Sequence, residues 1–135
     1  MEIKYIAPHE LKHWWNFAKE GVEAILNKSP ESFIQEEIFA QCWAQKSMLW
    51  VFLEDNVPQG FTVLTPEDDN LFVWAVWGKE PQTPEVVAVC FEYIKNIARQ
   101  GNAKTITFGS HRLGWDKVAR KLGFTPRLWE LKIED

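Results

Sequence analysis

The stretch LFVWAVWGKEPQTPEVVAVCFEYIKNIARQGNAKTITF, residues 71–108, decides the fold of this 135-residue chain. Its first seven residues are all apolar, which is typical of a strand covered on both faces of its sheet. The segment Thr83–Glu85 then has the signature of a helix start, with a capping hydroxyl, a proline and an acidic residue. The helical pattern ends at Gly101, and residues 104–108 alternate as a strand does. This order predicts a right-handed parallel crossover.

The rest of the chain adds strands and helices on both sides of this unit. They are, in order, a strand over 2–6, helices beginning near Pro8 and Ser29, strands over 48–54 and 61–65 with turns at 55–60 and 66–70, a short helix ending at Gly123, and a strand over 127–133. The order β-α-α-β-β-β-α-β-α-β predicts an α/β layered fold with a mixed central sheet and helices on both faces. The length predicts a single domain over residues 1–135.

Composition excludes several classes of protein. The 46% hydrophobic content excludes wholesale disorder, and no apolar run approaches the roughly 20 residues that span a bilayer. Charge lies near the first residues, where a signal peptide would need its apolar segment, so we expect a cytoplasmic protein. Cys42 and Cys90 fit helical apolar stripes, and we expect both to be reduced core residues.

Charge is divided unevenly along the chain. Residues 1–94 hold 6 Lys/Arg and 15 Asp/Glu, whereas residues 95–132 hold 9 Lys/Arg and 2 Asp/Glu. The basic C-terminal part suits a polyanionic ligand, such as a nucleotide cofactor, a nucleic acid or an acidic partner. It equally suits a solvated basic surface that balances an acidic one.

Two further segments carry a family resemblance. In FLEDNVPQGF, residues 52–61, a strand ends in a turn and resumes at Gly-Phe, and WDKVARKLGF, residues 115–124, is a helix with a Leu-Gly-Phe ending. Together with the element order they resemble the GNAT superfamily of acetyl-CoA-dependent N-acetyltransferases, and most of all the small GNAT-like proteins of bacteriophage genomes. The resemblance implies a GNAT fold, acetyl-CoA as cofactor and an amine as acceptor.

The resemblance also assigns a cofactor loop. GNAT enzymes hold the cofactor pyrophosphate on backbone N–H groups at the start of the third helix, in a loop resembling Gln/Arg-x-x-Gly-x-Gly/Ala. The matching segment here is GKEPQTPE, residues 78–85, in which one glycine remains, two prolines donate no N–H and two glutamates repel phosphate. A backbone N–H near Val76 or Trp77 would polarise the thioester carbonyl. The residues assigned to cofactor binding are Val76, Trp77, Gly78, Lys79, Gln82, Thr83 and Arg112.

Catalysis by a GNAT enzyme needs proton carriers. The amine attacks the thioester directly, a base or water chain takes its proton, and a tyrosine often protonates the leaving thiolate. In the family pattern Leu-Tyr-x-x-Leu-Gly-Phe, this tyrosine falls where the present chain has Ala119. The candidate bases are Glu130, Glu54 and His111, and each also fits an ordinary exposed polar residue. The missing tyrosine and the altered loop leave present catalysis open.

Three classes of function therefore compete. The first is an acyl-CoA N-acyltransferase. The second is a non-catalytic GNAT-like virion or assembly component of a phage, whose eight tryptophans would pack against a protein partner or a second copy. The third, a nucleic-acid-binding module, is disfavoured because basic and aromatic residues do not interleave. His9 and His13 share the spacing of metal ligands but lack a third ligand nearby, so no metal is expected.

Overall fold

The computed structural model describes residues 1–28, 35–79, 83–108 and 119–124. Within these residues one mixed sheet of five strands follows the chain order. Its strands are β1 (Glu2–Ile6), β2 (Met48–Glu54), β3 (Val57–Glu67), β4 (Asn70–Gly78) and β5 (Thr105–Phe108). The first four strands pair antiparallel, and β5 pairs parallel to β4. The predicted α/β class, mixed sheet and crossover are confirmed.

Three of the helices in the described residues cover the two faces of this sheet. They are α1 (Leu11–Lys28), which follows a 3-10 turn at Pro8–Glu10, α2 (Gln35–Trp43) and α3 (Pro84–Gln100). The core beneath α1 and α2 contains Ile6, Leu11, Ala18, Val22, Ile38, Cys42, Leu49, Val51, Leu53, Phe61, Val63 and Ala75. The core beneath α3 contains Leu64, Leu71, Val73, Phe91, Ile94 and Ala98. Helices on both faces are thus confirmed, and none in the described ranges is long and apolar enough to cross a membrane.

The turn predicted over 55–60 is wrong in length. The turn is formed by Asp55 and Asn56, whose φ angles are 50° and 66°, a conformation that Asp and Asn tolerate better than most residues. β3 therefore begins at Val57. Pro58 is accommodated within the strand because it lies opposite Leu53, next to an irregularity in the β2–β3 pairing.

The turn predicted over 66–70 is shorter too, since β3 and β4 stay paired as far as Glu67 opposite Asn70. The Asn70 amide then joins three side chains. Its Nδ2 donates to Thr107 Oγ1 at 2.8 Å and to Glu67 Oε1 at 3.2 Å, and its Oδ1 accepts from Thr105 Oγ1 at 2.8 Å. These bonds fasten the first residues of β4 to β5.

The Leu-Gly-Phe ending has the geometry of a helix C-cap. Gly123 has a φ of 93°, its N–H bonds to Arg120 O, and the N–H of Phe124 bonds to Ala119 O at 3.0 Å. This pair of bonds is the Schellman motif. The Phe124 ring folds back against Phe108, with centroids 4.8 Å apart. The predicted start of the second helix at Ser29 and the predicted strand over 127–133 lie outside the described residues.

Candidate active site

The site begins where β4 and β5 part. β5 pairs with residues 70–73 of β4 and, in the described part of the chain, with none beyond them. At that point β4 contains an extra residue, because Val73 lies opposite Leu64 and Ala75 opposite Val63, which leaves Trp74 as a bulge. The bulge changes the face on which the following side chains lie. Val73 packs beneath α3, whereas Ala75, two residues later, packs beneath α1 and α2. Residues 75–78 of β4 thus have no strand beside them on this side in the described sheet.

The peptide groups of this edge have a defined direction. The N–H of Lys79 donates to Gln59 O at 2.8 Å, and these residues continue the β3–β4 register, so they form a hydrogen-bonded pair. Antiparallel pairs alternate between hydrogen-bonded and non-hydrogen-bonded. Trp77 therefore points its N–H and C=O toward β3. Val76 and Gly78 point theirs toward the open edge.

An aromatic cluster supports the end of β4 from the α1 side. The Trp77 ring lies 5.7 Å from the Phe17 ring and 5.9 Å from the Phe61 ring, centroid to centroid. Gly21 allows α1 to approach this closely, since a Cβ there would lie 2.2 Å from Phe61 Cε2. Lys79 Nζ lies 5.5 Å from the Phe17 ring centroid. The only positive charge at the end of β4 in the described residues is thus held over an aromatic face.

The N-terminus of α3 uses its own donors. Thr83 Oγ1 accepts from Val86 N at 3.3 Å, and Thr83 O accepts from Val87 N at 3.1 Å. Pro84 occupies the first turn without an N–H, and Glu85 adds a carboxylate. The predicted helix start is confirmed, but the turn that would face an anion offers few donors and a negative charge.

Comparison with known proteins identifies the architecture. No family model and no curated protein matches the sequence. Among solved structures, a probable acetyltransferase superposes with a TM-score of 0.73 over 100% of this chain and 99% of that chain, at 16% identity. The chain has the GNAT fold. An aminoglycoside N-acetyltransferase, AAC(6′)-Iy, solved in complex with CoA, gives 0.65 over 99% and 98% of the two chains at 14% identity. A ribosomal-protein-alanine N-acetyltransferase from Brucella melitensis biovar Abortus 2308 gives 0.71 over 100% of both chains at 8% identity.

The GNAT fold brings part of the predicted site together. The predicted cofactor residues with described positions are Val76, Trp77, Gly78, Lys79 and Thr83. Val76, Trp77 and Gly78 are the last three residues of β4, Lys79 follows them, and Thr83 caps α3. Ala119, the counterpart of the family tyrosine, is half-buried. The other predicted site residues, which are Gln82, Arg112, His111 and Glu130, lie outside the described residues.

Two features of the site were missed by sequence reasoning. The bulge at Trp74 lies in a strand that is apolar throughout, so no alternation marks the extra residue. Whether Val76 or Trp77 points its N–H toward the open edge depends on the strand register, which the sequence does not encode locally. The candidate base Glu54 is exposed at the end of β2 and lies 3.7 Å from the amino group of Met1, so it is not part of this edge.

A second concavity of the GNAT fold lies between α1 and α2. It has a volume of about 350 Å³ and is lined by Trp15, Lys19, Gln35, Glu36 and Phe39. Phe39 also stacks against Trp43, with centroids 6.3 Å apart and planes inclined by 7°. Trp43 is 59% exposed, which is unusual for so large an apolar side chain.

Proposed function

We propose that this protein binds an acyl-CoA thioester along the free edge of β4 and transfers the acyl group to an amine. The observation that carries the proposal is the Val76 N–H, which lies two residues after the bulge and faces the edge of β4 that no described strand covers. Backbone donors in fixed positions are suited to the charge that develops on an attacked carbonyl. Support also comes from a neighbour in the GNAT fold, AAC(6′)-Iy, which was solved with CoA.

In the proposed reaction the amine nitrogen attacks the thioester carbonyl carbon, and the C–S bond breaks as the amide forms. The Val76 N–H donates a hydrogen bond to the carbonyl oxygen and so stabilises the negative charge that builds up there. A base takes the proton that the amine loses, and His111 and Glu130 remain the candidates for this role. Ala119 has no proton to give the thiolate, so water supplies it and turnover is slow.

The groups near the end of β4 and the start of α3 determine how tightly the phosphates would be held. Lys79 is exposed beside the edge and supplies a cation for the phosphates. The first turn of α3, in contrast, contains the negative charge of Glu85, and Pro84 has no N–H to donate. Phosphate binding at a helix start depends on those N–H groups and on the helix dipole. We therefore expect the pantetheine arm and the acyl group, rather than the pyrophosphate, to carry most of the binding energy.

Calorimetric titration with acetyl-CoA and with S-acetylpantetheine tests this function. We expect acetyl-CoA to bind, and S-acetylpantetheine to bind within about tenfold of it. Val76→Pro removes the donor, whereas Val76→Ala keeps it and shortens the side chain. Since the pair at Val76 is a non-hydrogen-bonded one, proline there leaves the β3–β4 ladder intact. Loss of the preference for acetyl-CoA over CoA and of acetyl transfer in V76P alone, with an unchanged circular dichroism spectrum, would support the role. No binding by the wild type at millimolar acetyl-CoA would refute the function.

A second candidate function is a GNAT fold that acts through protein contacts without catalysis. The exposed Trp43, stacked on Phe39, favours it, because large aromatic side chains are enriched at interface cores. The occupant we consider is a second copy of the chain. Self-association in sedimentation that Trp43→Ala abolishes, together with no binding of acetyl-CoA, would select this alternative. A monomer at all concentrations would exclude it.

A further inference from the structure

Thr62, at the centre of β3, is a fully buried polar residue in an apolar sheet. Its Oγ1 donates a hydrogen bond to Ala75 O at 3.0 Å. A buried hydroxyl is unfavourable unless it is bonded, and a valine would fill the same space without that requirement. The bond to Ala75 satisfies the hydroxyl but does not by itself explain why a hydroxyl lies at this position.

The acceptor of this bond, Ala75 O, belongs to the same peptide unit as the Val76 N–H. Ala75 O and Val76 N–H are parts of one planar peptide, and no cis peptide bond occurs in the described chain. In a trans peptide these two groups point in opposite directions. The hydroxyl of Thr62 therefore holds the oxygen end of the unit whose nitrogen end faces the open edge.

This peptide unit also lies at the weak point of the ladder. Val63 and Ala75 form the last regular pair before the bulge, where the register shifts. A carbonyl oxygen has two lone pairs, so Ala75 O can accept both the ladder N–H of Val63 and the Thr62 hydroxyl. The second bond limits rotation of the peptide next to the disrupted ladder. It also polarises the unit, because hydrogen bonds in a chain strengthen one another.

We propose that Thr62 is a positioning residue for acyl-group recognition: through Ala75 O it orients and strengthens the Val76 N–H as the donor to the thioester carbonyl. The inference rests on the proposed function, since it assigns that N–H to the acyl group. Thr62 touches no substrate. Its effect is confined to ligands that contain the carbonyl, so free CoA is the natural reference.

The experiment compares Thr62→Val, which keeps the shape and removes the donor, with Thr62→Ser, which keeps the donor and removes a methyl group. Calorimetry gives the ratio of CoA to acetyl-CoA dissociation constants for each protein. We expect T62V to lower the acetyl-CoA advantage about fivefold, in line with the net worth of one hydrogen bond, with CoA affinity unchanged. We expect T62S to restore the advantage. Thermal unfolding of both variants checks that they fold.

A second readout needs no ligand. Amide NMR of the free protein should show an upfield shift of the Val76 proton in T62V and a near-wild-type position in T62S. An acetyl-CoA advantage retained in T62V, or a Val76 signal that does not respond to it, would overturn the role of Thr62 alone. A wild-type protein that binds acetyl-CoA no better than CoA would refute the proposed function and, with it, this inference.

Discussion

Replacing Gly21 by alanine tests the tight packing of α1 on the end of β4. The added Cβ would lie 2.2 Å from Phe61 Cε2, 2.5 Å from Trp77 Cε3 and 2.7 Å from Trp77 Cδ2. Carbon atoms in contact are normally about 3.5–4.0 Å apart, so Phe61 would have to move by more than about 1 Å. Phe61 has no exposed surface, so its ring has no open space to enter, whereas Trp77 is half-buried and is flanked by Phe17.

The magnitude follows from two opposing effects. Overpacking a core typically costs about 1–3 kcal/mol, and this overlap is at the severe end. Alanine in place of glycine inside a helix returns about 1 kcal/mol. We therefore expect G21A to lower the free energy of unfolding by about 2 kcal/mol, which is about a thirtyfold change in the folded-to-unfolded ratio.

Urea unfolding followed by far-ultraviolet circular dichroism measures this change without relying on Trp77 fluorescence. The matched control is Gly101→Ala. A Cβ at Gly101 would meet Ile97 O at 3.6 Å, and the φ of −89° suits any residue. We expect the control to be neutral or more stable by about 0.4–1 kcal/mol. Phe61→Leu should reduce the loss of stability in G21A, because it replaces the ring that the new Cβ meets with a shorter side chain. A G21A protein as stable as the wild type would refute the packing argument.

Three further predictions concern the rest of the fold. Asn70→Ala should destabilise the protein by about 1–2 kcal/mol in urea unfolding, since it removes bonds that join β3, β4 and β5; an Asn70→Ala protein with wild-type stability would contradict this. Burial raises the pKa of the Cys42 and Cys90 thiols to about 11, so at pH 8 alkylation should be about 100-fold slower in the folded protein than in urea; equal rates would contradict it. The Ala7 N–H and the Lys4 ammonium lower the pKa of Glu10 below its usual 4.5, so the stability lost in Glu10→Gln should be full above pH 4.5 and should shrink as the pH falls through the folded-state pKa. A pH-independent difference in melting temperature would count against this last prediction.

The sequence predicted the fold where local chemistry and pattern agree. The Thr83 cap and Pro84 mark the start of α3, and the apolar residues of β4 indicate a strand covered on both faces; both are confirmed. The predicted turn at Asp55–Asn56 is too long, because Pro58 and Gly60 are typical of turns. The observed turn consists of the two residues that adopt positive φ. Pairing with β2 makes Pro58 and Gly60 part of β3, and this pairing depends on residues elsewhere in the chain.

The site was harder to predict than the fold for the same reason. The bulge at Trp74 is defined by the pairing of β4 with β3, and the direction of the Val76 peptide follows from the register. Neither is a property of a side chain, so no residue pattern signals it. The prediction of residues 76–79 as part of the site came from the resemblance to the GNAT superfamily, which implies a cofactor-binding segment between this strand and the next helix.

The donor at position 76 has a consequence for how the protein tolerates mutation. Every residue except proline carries a backbone N–H, so almost any substitution at Val76 would keep the group that faces the open edge. The side chain at position 76 is therefore constrained only by packing. In the proposed function the recognition group belongs to the main chain, so it leaves no trace in the identity of residue 76.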